Sequence, residues 1–192
     1  MFNDHFGLTD AVLSGRKTVT RRIVTGIYGA SYIDDHPTRI DEVQRPTVNS
    51  RYIKNHLPKY KVGEVLAIAQ CYENIAETLR EPYLTDSKCW MPNSAGWNNK
   101  MFVKAELMPH QIEIIDVRVE RLQDITDEDC IKEGIKKFTK DGTVYKYGFD
   151  GLRWQDMPSS PREAFASLID KVAKKGTWKS NPYVFINEFK LK

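Results

Sequence analysis

The sequence predicts an α+β fold: a mostly antiparallel β-barrel with flanking short helices. Three observations carry that expectation. Apolar and polar residues alternate over 101–107 and again over 112–122, the pattern of strands with one buried face. A single amphipathic stripe follows Pro161 at helical spacing. No strand–helix–strand alternation runs through the chain, so a parallel sheet with crossover helices is not indicated.

Taken in order, Thr9 to Ser14 is expected to form a short helix, with Thr9 at its N-cap and Gly15 as its stop. The run Arg16-Lys17-Thr18-Val19-Thr20-Arg21-Arg22-Ile23-Val24 follows, β-rich and basic. Residues 25–59 are polar, hold three prolines and show weak periodicity, and read as an insertion or long loop. Val65 to Ala69 is apolar throughout, as a short buried strand is. A second irregular stretch, 79–99, contains Trp90 and Trp97 and reads as a lid. Pro109 marks the turn between the two alternating segments.

Thr126-Asp127-Glu128-Asp129 has the form of a capping box opening a helix that Gly134 closes. Ser160-Pro161-Arg162-Glu163 is a stronger helix start, with an N-cap serine, proline in the first turn and Glu at the third position. Ala164, Phe165, Leu168, Ile169, Val172 and Ala173 then form the apolar stripe, and Gly176 is expected to end the helix. Pro182 to Phe189 reads as the final strand. The chain is thus one domain over 1–192, with insertions at about 25–59 and 79–99.

Composition narrows the class. With 41% hydrophobic and 29% charged residues the chain is ordinary globular protein. A chain of 192 residues buries enough surface to fold without disulfide or metal. Its net charge of +3 tolerates a polyanionic partner without demanding one. Cys71, Cys89 and Cys130 are widely spaced and contain no CxxC pair, so no zinc ribbon or disulfide framework is encoded, and a reducing cytoplasm is the simplest compartment. The N-terminus lacks the basic and apolar regions of a signal peptide, and no apolar run approaches a membrane span.

Several chemistries lack their motifs. No GxGxxG or Walker A loop, no GxSxG elbow and no HExxH is present. His5, His36, His56 and His110 share no metal-ligand spacing, so no metal site is expected. No cofactor is implied.

The informative segment is Gly15 to Arg22, where four of eight residues are cationic and hydroxyls lie between them. Such a run offers charges and donors to an anion or a nucleobase edge. It also fits a solvated polar strand.

This segment, placed directly after a short helix, resembles the opening signature of the ASCH domain family of the PUA-like superfamily. Tyr60-Lys61-Val62-Gly63-Glu64-Val65-Leu66 is similar to the family's turn and strand. Asp124 to Ile135 is similar to its short helix ending in Glu-Gly, and Tyr183 to Lys190 to its closing strand. The four pieces cover about half of the chain in the family's order. The length of the insertions is similar to that of phage and prophage members.

The resemblance implies a PUA-like barrel, cytoplasmic, whose basic pocket recognises RNA or a modified nucleoside. Arg16, Arg21, Arg22 and Lys61 are then the binding residues. It also implies an alternative. One bacterial member type is an amidohydrolase that removes the acetyl group of N4-acetylcytidine, and its lysine, threonine and glutamate match Lys17, Thr20 and Glu133. In that scheme Lys17 takes a proton from the Thr20 hydroxyl, and Glu133 orients the amine or moves protons to the leaving group. Three residues apart on a regular strand, Lys17 and Thr20 would point to opposite faces, so convergence requires a turn or bulge near Thr18-Val19. Ribonuclease activity is a further implication of the family. Trp90, Trp97 and Trp154 are either stacking platforms for bases or packing residues.

Overall fold

The computed structural model describes residues 2–24, 58–78 and 90–192, together with the paired backbone of 32–33 and 36–37. Its regular elements are α1 (Leu8–Leu13), β1 (Val19–Ile23), β2 (Tyr32–Ile33), β3 (His36–Pro37), β4 (Val65–Ala67), α2 (Tyr72–Ile75) and β5 (Gln111–Arg121). After these come α3 (Asp127–Lys132), β6 (Lys136–Thr139), β7 (Tyr145–Gly148), α4 (Pro161–Val172), α5 (Thr177–Ser180) and β8 (Tyr183–Leu191). Most of the expected 25–59 insertion, and 79–89 of the second, lie outside the described residues. Among the described residues no helix is long and apolar enough to cross a membrane.

Four strands form an antiparallel sheet in the order β1-β8-β5-β4, which curls into a half-barrel with helices against it. Strand β8 sits inside the sheet and sorts its side chains by parity. Val184 and Ile186 enter one core with Ala164, Phe165, Leu168 and Ile169 of α4. Phe185 and Phe189 enter a second core with Val12, Ile68, Ile112, Ile114 and Val117. A strand covered on both faces reads as continuous apolar sequence, as Val184-Phe185-Ile186 does.

Strand β5 keeps its apolar side chains on the second core through a bulge. The register runs Ile114↔Phe189 and then Asp116↔Glu188, which leaves Ile115 without an opposite residue and 41% exposed. Before the bulge the inward residues are Ile112 and Ile114; after it they are Val117 and Val119. One extra residue changes the parity of the apolar positions without changing their face.

The expected helix starts after Thr126 and Ser160 are present. Asp129 N donates to Thr126 Oγ at 3.1 Å, and Glu163 N to Ser160 Oγ at 3.4 Å. Three local expectations need correction. Helix α1 begins at Leu8 behind Gly7, while the Thr9 hydroxyl donates to the Asp4 carboxylate instead of capping. Helix α4 ends at Val172, and Gly176 opens the α5 turn.

Residues 101–107 are not a strand but two short 3-10 turns, Lys100–Phe102 and Ala105–Leu107. The reason lies in where their backbone donors go. Met101 N donates to the Asn99 side chain at 3.0 Å and Lys104 N to the Tyr72 hydroxyl at 2.8 Å, so no neighbouring strand takes them. Alternation alone did not encode a ladder here.

Candidate functional site

The site begins where α1 stops. Gly15 takes φ 71, a left-handed turn open to glycine, and the chain then runs into β1. Thr18 is held twice: its N–H donates to Lys132 O at 3.0 Å, and its O accepts from Phe189 N at 2.8 Å. Those bonds fasten the entry of β1 to the C-terminus of α3 and to β8. Lys17, one residue earlier, is thereby delivered to Glu133.

Lys17 is 2% exposed. Its Nζ donates to Val19 O at 2.7 Å, to Glu133 O at 2.8 Å and to Glu133 Oε2 at 2.5 Å. Three protons thus meet three acceptors, the arrangement of an ammonium. One acceptor is a carbonyl at the end of α3, where a cation is favourable. Burial pushes the Lys17 amine below its ordinary value; Glu133 opposes that push, and Arg22 and Arg21 add to it. Gly134, at φ 106, permits the contact: a Cβ there would meet Leu8 Cδ2 at 3.2 Å and the Lys17 stem at 3.6 Å.

The remaining oxygen of Glu133 accepts from Arg21. Arg21 Nη1 lies 3.3 Å from Glu133 Oε1 and Nη2 lies 2.8 Å from Asp129 Oδ2, with the Arg21 side chain 1% exposed. Asp129 continues the chain to Arg118 at 3.7 Å, which in turn meets Asp116, Glu120 and Glu188 at the surface. Alternating charges therefore lead from the protein interior outward. Beside them the Cys130 thiol is pushed up to about 12 by burial, and it is inert as a nucleophile.

A cavity of about 510 Å³ opens beside this cluster. Lys17, Thr20, Arg21, Arg22 and Glu133 line it, opposite an apolar wall of Phe165, Leu168, Ile169 and Val172. Phe2, Asn3, Asp4, His5 and Leu8 complete its rim together with Asn99, Lys100 and Met101. Lys17 and Thr20, and Glu133 more than a hundred positions further on, the three residues that the resemblance pairs with the amidohydrolase, thus line one cavity. Among the described residues the Thr20 hydroxyl has no hydrogen-bond partner. The apolar wall is the stripe already legible on α4. The rim residues from 99–101 and the N-terminal residues carry no signal of their own in the sequence.

The convergence has a particular form. Arg21 stands opposite Ile186 and Thr20 opposite Asn187, so by the parity of β8 their side chains leave β1 on different faces. Lys17 and Glu133 belong with Arg21. Both faces meet the cavity because, among the described residues, β1 is an end strand of the sheet.

Other expected residues lie elsewhere. Arg16 is exposed and does not line the cavity. Lys61 is exposed at the turn before β4, which forms the opposite end of the sheet from β1. Arg21 does line the cavity, but as an interior ion-pair hub held by Asp129 and Glu133. Trp90 packs edge-on against Tyr72, Trp97 joins the cluster around Tyr72, and Trp154 stands by Lys140 and Lys146. None of the three tryptophans lines the cavity.

Fold and site together define an α+β protein in which a buried lysine–glutamate–arginine cluster borders a half-apolar, half-charged cavity. No family model, no curated protein and no solved structure matches the chain.

Proposed function

We propose that this chain is an ASCH-type, PUA-like protein that recognises a modified nucleoside of RNA in the cavity between β1 and α4. One observation carries the reading: Lys17, Thr20, Arg22 and Glu133 line a single cavity with the apolar face of α4. A volume of about 510 Å³ is within the range of small-molecule sites. An apolar wall with a few fixed polar groups suits a base laid against Phe165 and Leu168 with its edge toward Thr20 and Arg22. The Lys17–Glu133–Arg21 cluster holds that edge rigid, since each of the three is tied to its neighbours.

The test is calorimetric titration with cytidine and N4-acetylcytidine. Wild-type protein should bind with a saturable isotherm. Val172→Trp, at a half-open position on the cavity wall, should abolish binding while leaving the thermal transition in place. An isotherm with no heat for either nucleoside would remove the reading.

A second reading is hydrolysis of the N4-acyl group with Thr20 as nucleophile. It is favoured by the unbonded Thr20 hydroxyl in the same cavity as Lys17 and Glu133. The opposite faces of Thr20 and Arg21 on β1 favour recognition over hydrolysis.

A further inference from the structure

Among the described residues strands β6 and β7 pair only with each other, as a hairpin with the register Lys137↔Tyr147 and Thr139↔Tyr145. The segment 136–147 holds Lys136, Lys137, Lys140 and Lys146 against Asp141, a net +3, which equals the formal net charge of the entire chain. Lys136 is ion-paired to Asp150. Among the described residues Lys137 and Lys140 have no ion pair.

Aromatic rings lie between these charges. Residues opposed in the register share a face, so Lys137, Tyr147, Thr139 and Tyr145 are on one side of the hairpin. Lys137 Nζ stands 3.9 Å from the Tyr145 ring centre, and Tyr145 is 43% exposed. Lys140 and Lys146 stand 5.0 Å and 5.3 Å from the Trp154 ring, and Lys146 Nζ also donates to Trp154 O at 3.0 Å. The rings hold flexible lysines in place without neutralising them.

We propose that this hairpin, through its Lys137–Tyr145 side and the Lys140 turn, is a docking surface for single-stranded nucleic acid. Lysines that keep their charge serve the phosphates, and an exposed ring among them serves a base. An acidic protein would match the charge but would make no use of the exposed Tyr145 ring. The surface stands on its own charge and rings, not on the cavity. The two are nonetheless adjacent in the chain: Lys137 is four residues beyond Glu133, a reach of at most about 14 Å.

The experiment is fluorescence anisotropy of short labelled oligouridine and oligothymidine with the full chain, repeated across a salt series. Wild-type protein should bind, more weakly as salt rises. The Lys137→Glu/Lys140→Glu double variant should bind at least about tenfold more weakly, and its slope against log salt should shrink by about 1.4. Tyr145→Ala should lose about tenfold at constant slope. Preference for one oligonucleotide identifies RNA or DNA as the source, and binding of either supports the surface. Circular dichroism and cytidine titration of the variants separate this question from the cavity and from folding. Wild-type affinity in the double variant would overturn the proposal. So would equal displacement of the oligonucleotide by polyglutamate, which would point to an acidic protein partner.

Discussion

Lys17 and Glu133 meet at 2.5 Å across 116 positions of sequence, with side chains 2% and 6% exposed. Their pairing closes the entry of β1 onto the end of α3 and sets one wall of the cavity. Glu133 also receives Arg21, so its carboxylate balances two buried cations. Removing one partner of a buried pair leaves an uncompensated charge, at a cost of about 3–5 kcal/mol. Glu133→Gln should therefore destabilise more than Lys17→Met, since it strands Lys17 and leaves Arg21 with Asp129 alone. Urea denaturation of both single variants and the double variant reads this directly. Costs under about 1 kcal/mol for both singles would show that the pair does not organise the site.

Strand β5 makes a different kind of prediction. Because Ile115 has no opposite residue, deleting it leaves Ile112, Ile114, Val117 and Val119 on one face of a regular strand. The deletion variant should fold, at a cost of no more than about 2 kcal/mol. Inserting one alanine between Val117 and Arg118 should instead turn Val119 and Arg121 to the wrong faces and abolish the cooperative transition. Thermal melts of the two variants distinguish the bulge from an accident of packing.

Parity also explains what the sequence made legible. The α4 stripe, the caps at Thr126 and Ser160 and the apolar run of β8 follow from local rules, and each is present. The alternation at 101–107 has the same local form, yet its donors go to Asn99 and Tyr72, partners that periodicity does not see. The β6–β7 hairpin carries a signal, the turn dipeptide Asp141-Gly142, that the alternating-strand reading leaves unassigned. Within the site, the basic run marked Lys17, Thr20, Arg21 and Arg22, but charge alone could not say that Arg21 is buried in two ion pairs. That depends on Asp129 and Glu133, which the fold brings from over a hundred residues away.

Asp170 offers a titration. Its carboxylate accepts from Trp178 N at 2.8 Å and Gly176 N at 3.0 Å, and these bonds hold its pKa below the ordinary carboxylate value. A carboxylate depressed in the folded state contributes stability above its unfolded pKa of about 3.9, and loses it as pH falls through the folded value. Asp170→Asn should thus cost about 1 kcal/mol at neutral pH, the bonds being solvent-screened. The difference from wild type should close below about pH 4. Equal loss at both ends of a pH series would assign the effect to packing instead.

The final prediction separates recognition from hydrolysis. A threonine hydroxyl attacks an amide only if a base takes its proton, and Lys17 is a base only after losing one of its own. All three of its protons are now given to Val19 O, Glu133 O and Glu133 Oε2, and the ammonium suits those acceptors. Burial favours the neutral amine, so the two influences oppose each other. Against the base role, Thr20 leaves β1 on the face away from Arg21 and its partners. The expected outcome is binding of N4-acetylcytidine without release of cytidine, followed by chromatography over a pH series. Thr20→Val should then alter affinity alone. If Lys17 did act as base, release would rise with pH through its lowered pKa as free amine forms, and Thr20→Ala and Lys17→Ala would each remove nearly all of it. Such a profile, lost in both variants, would replace recognition with catalysis.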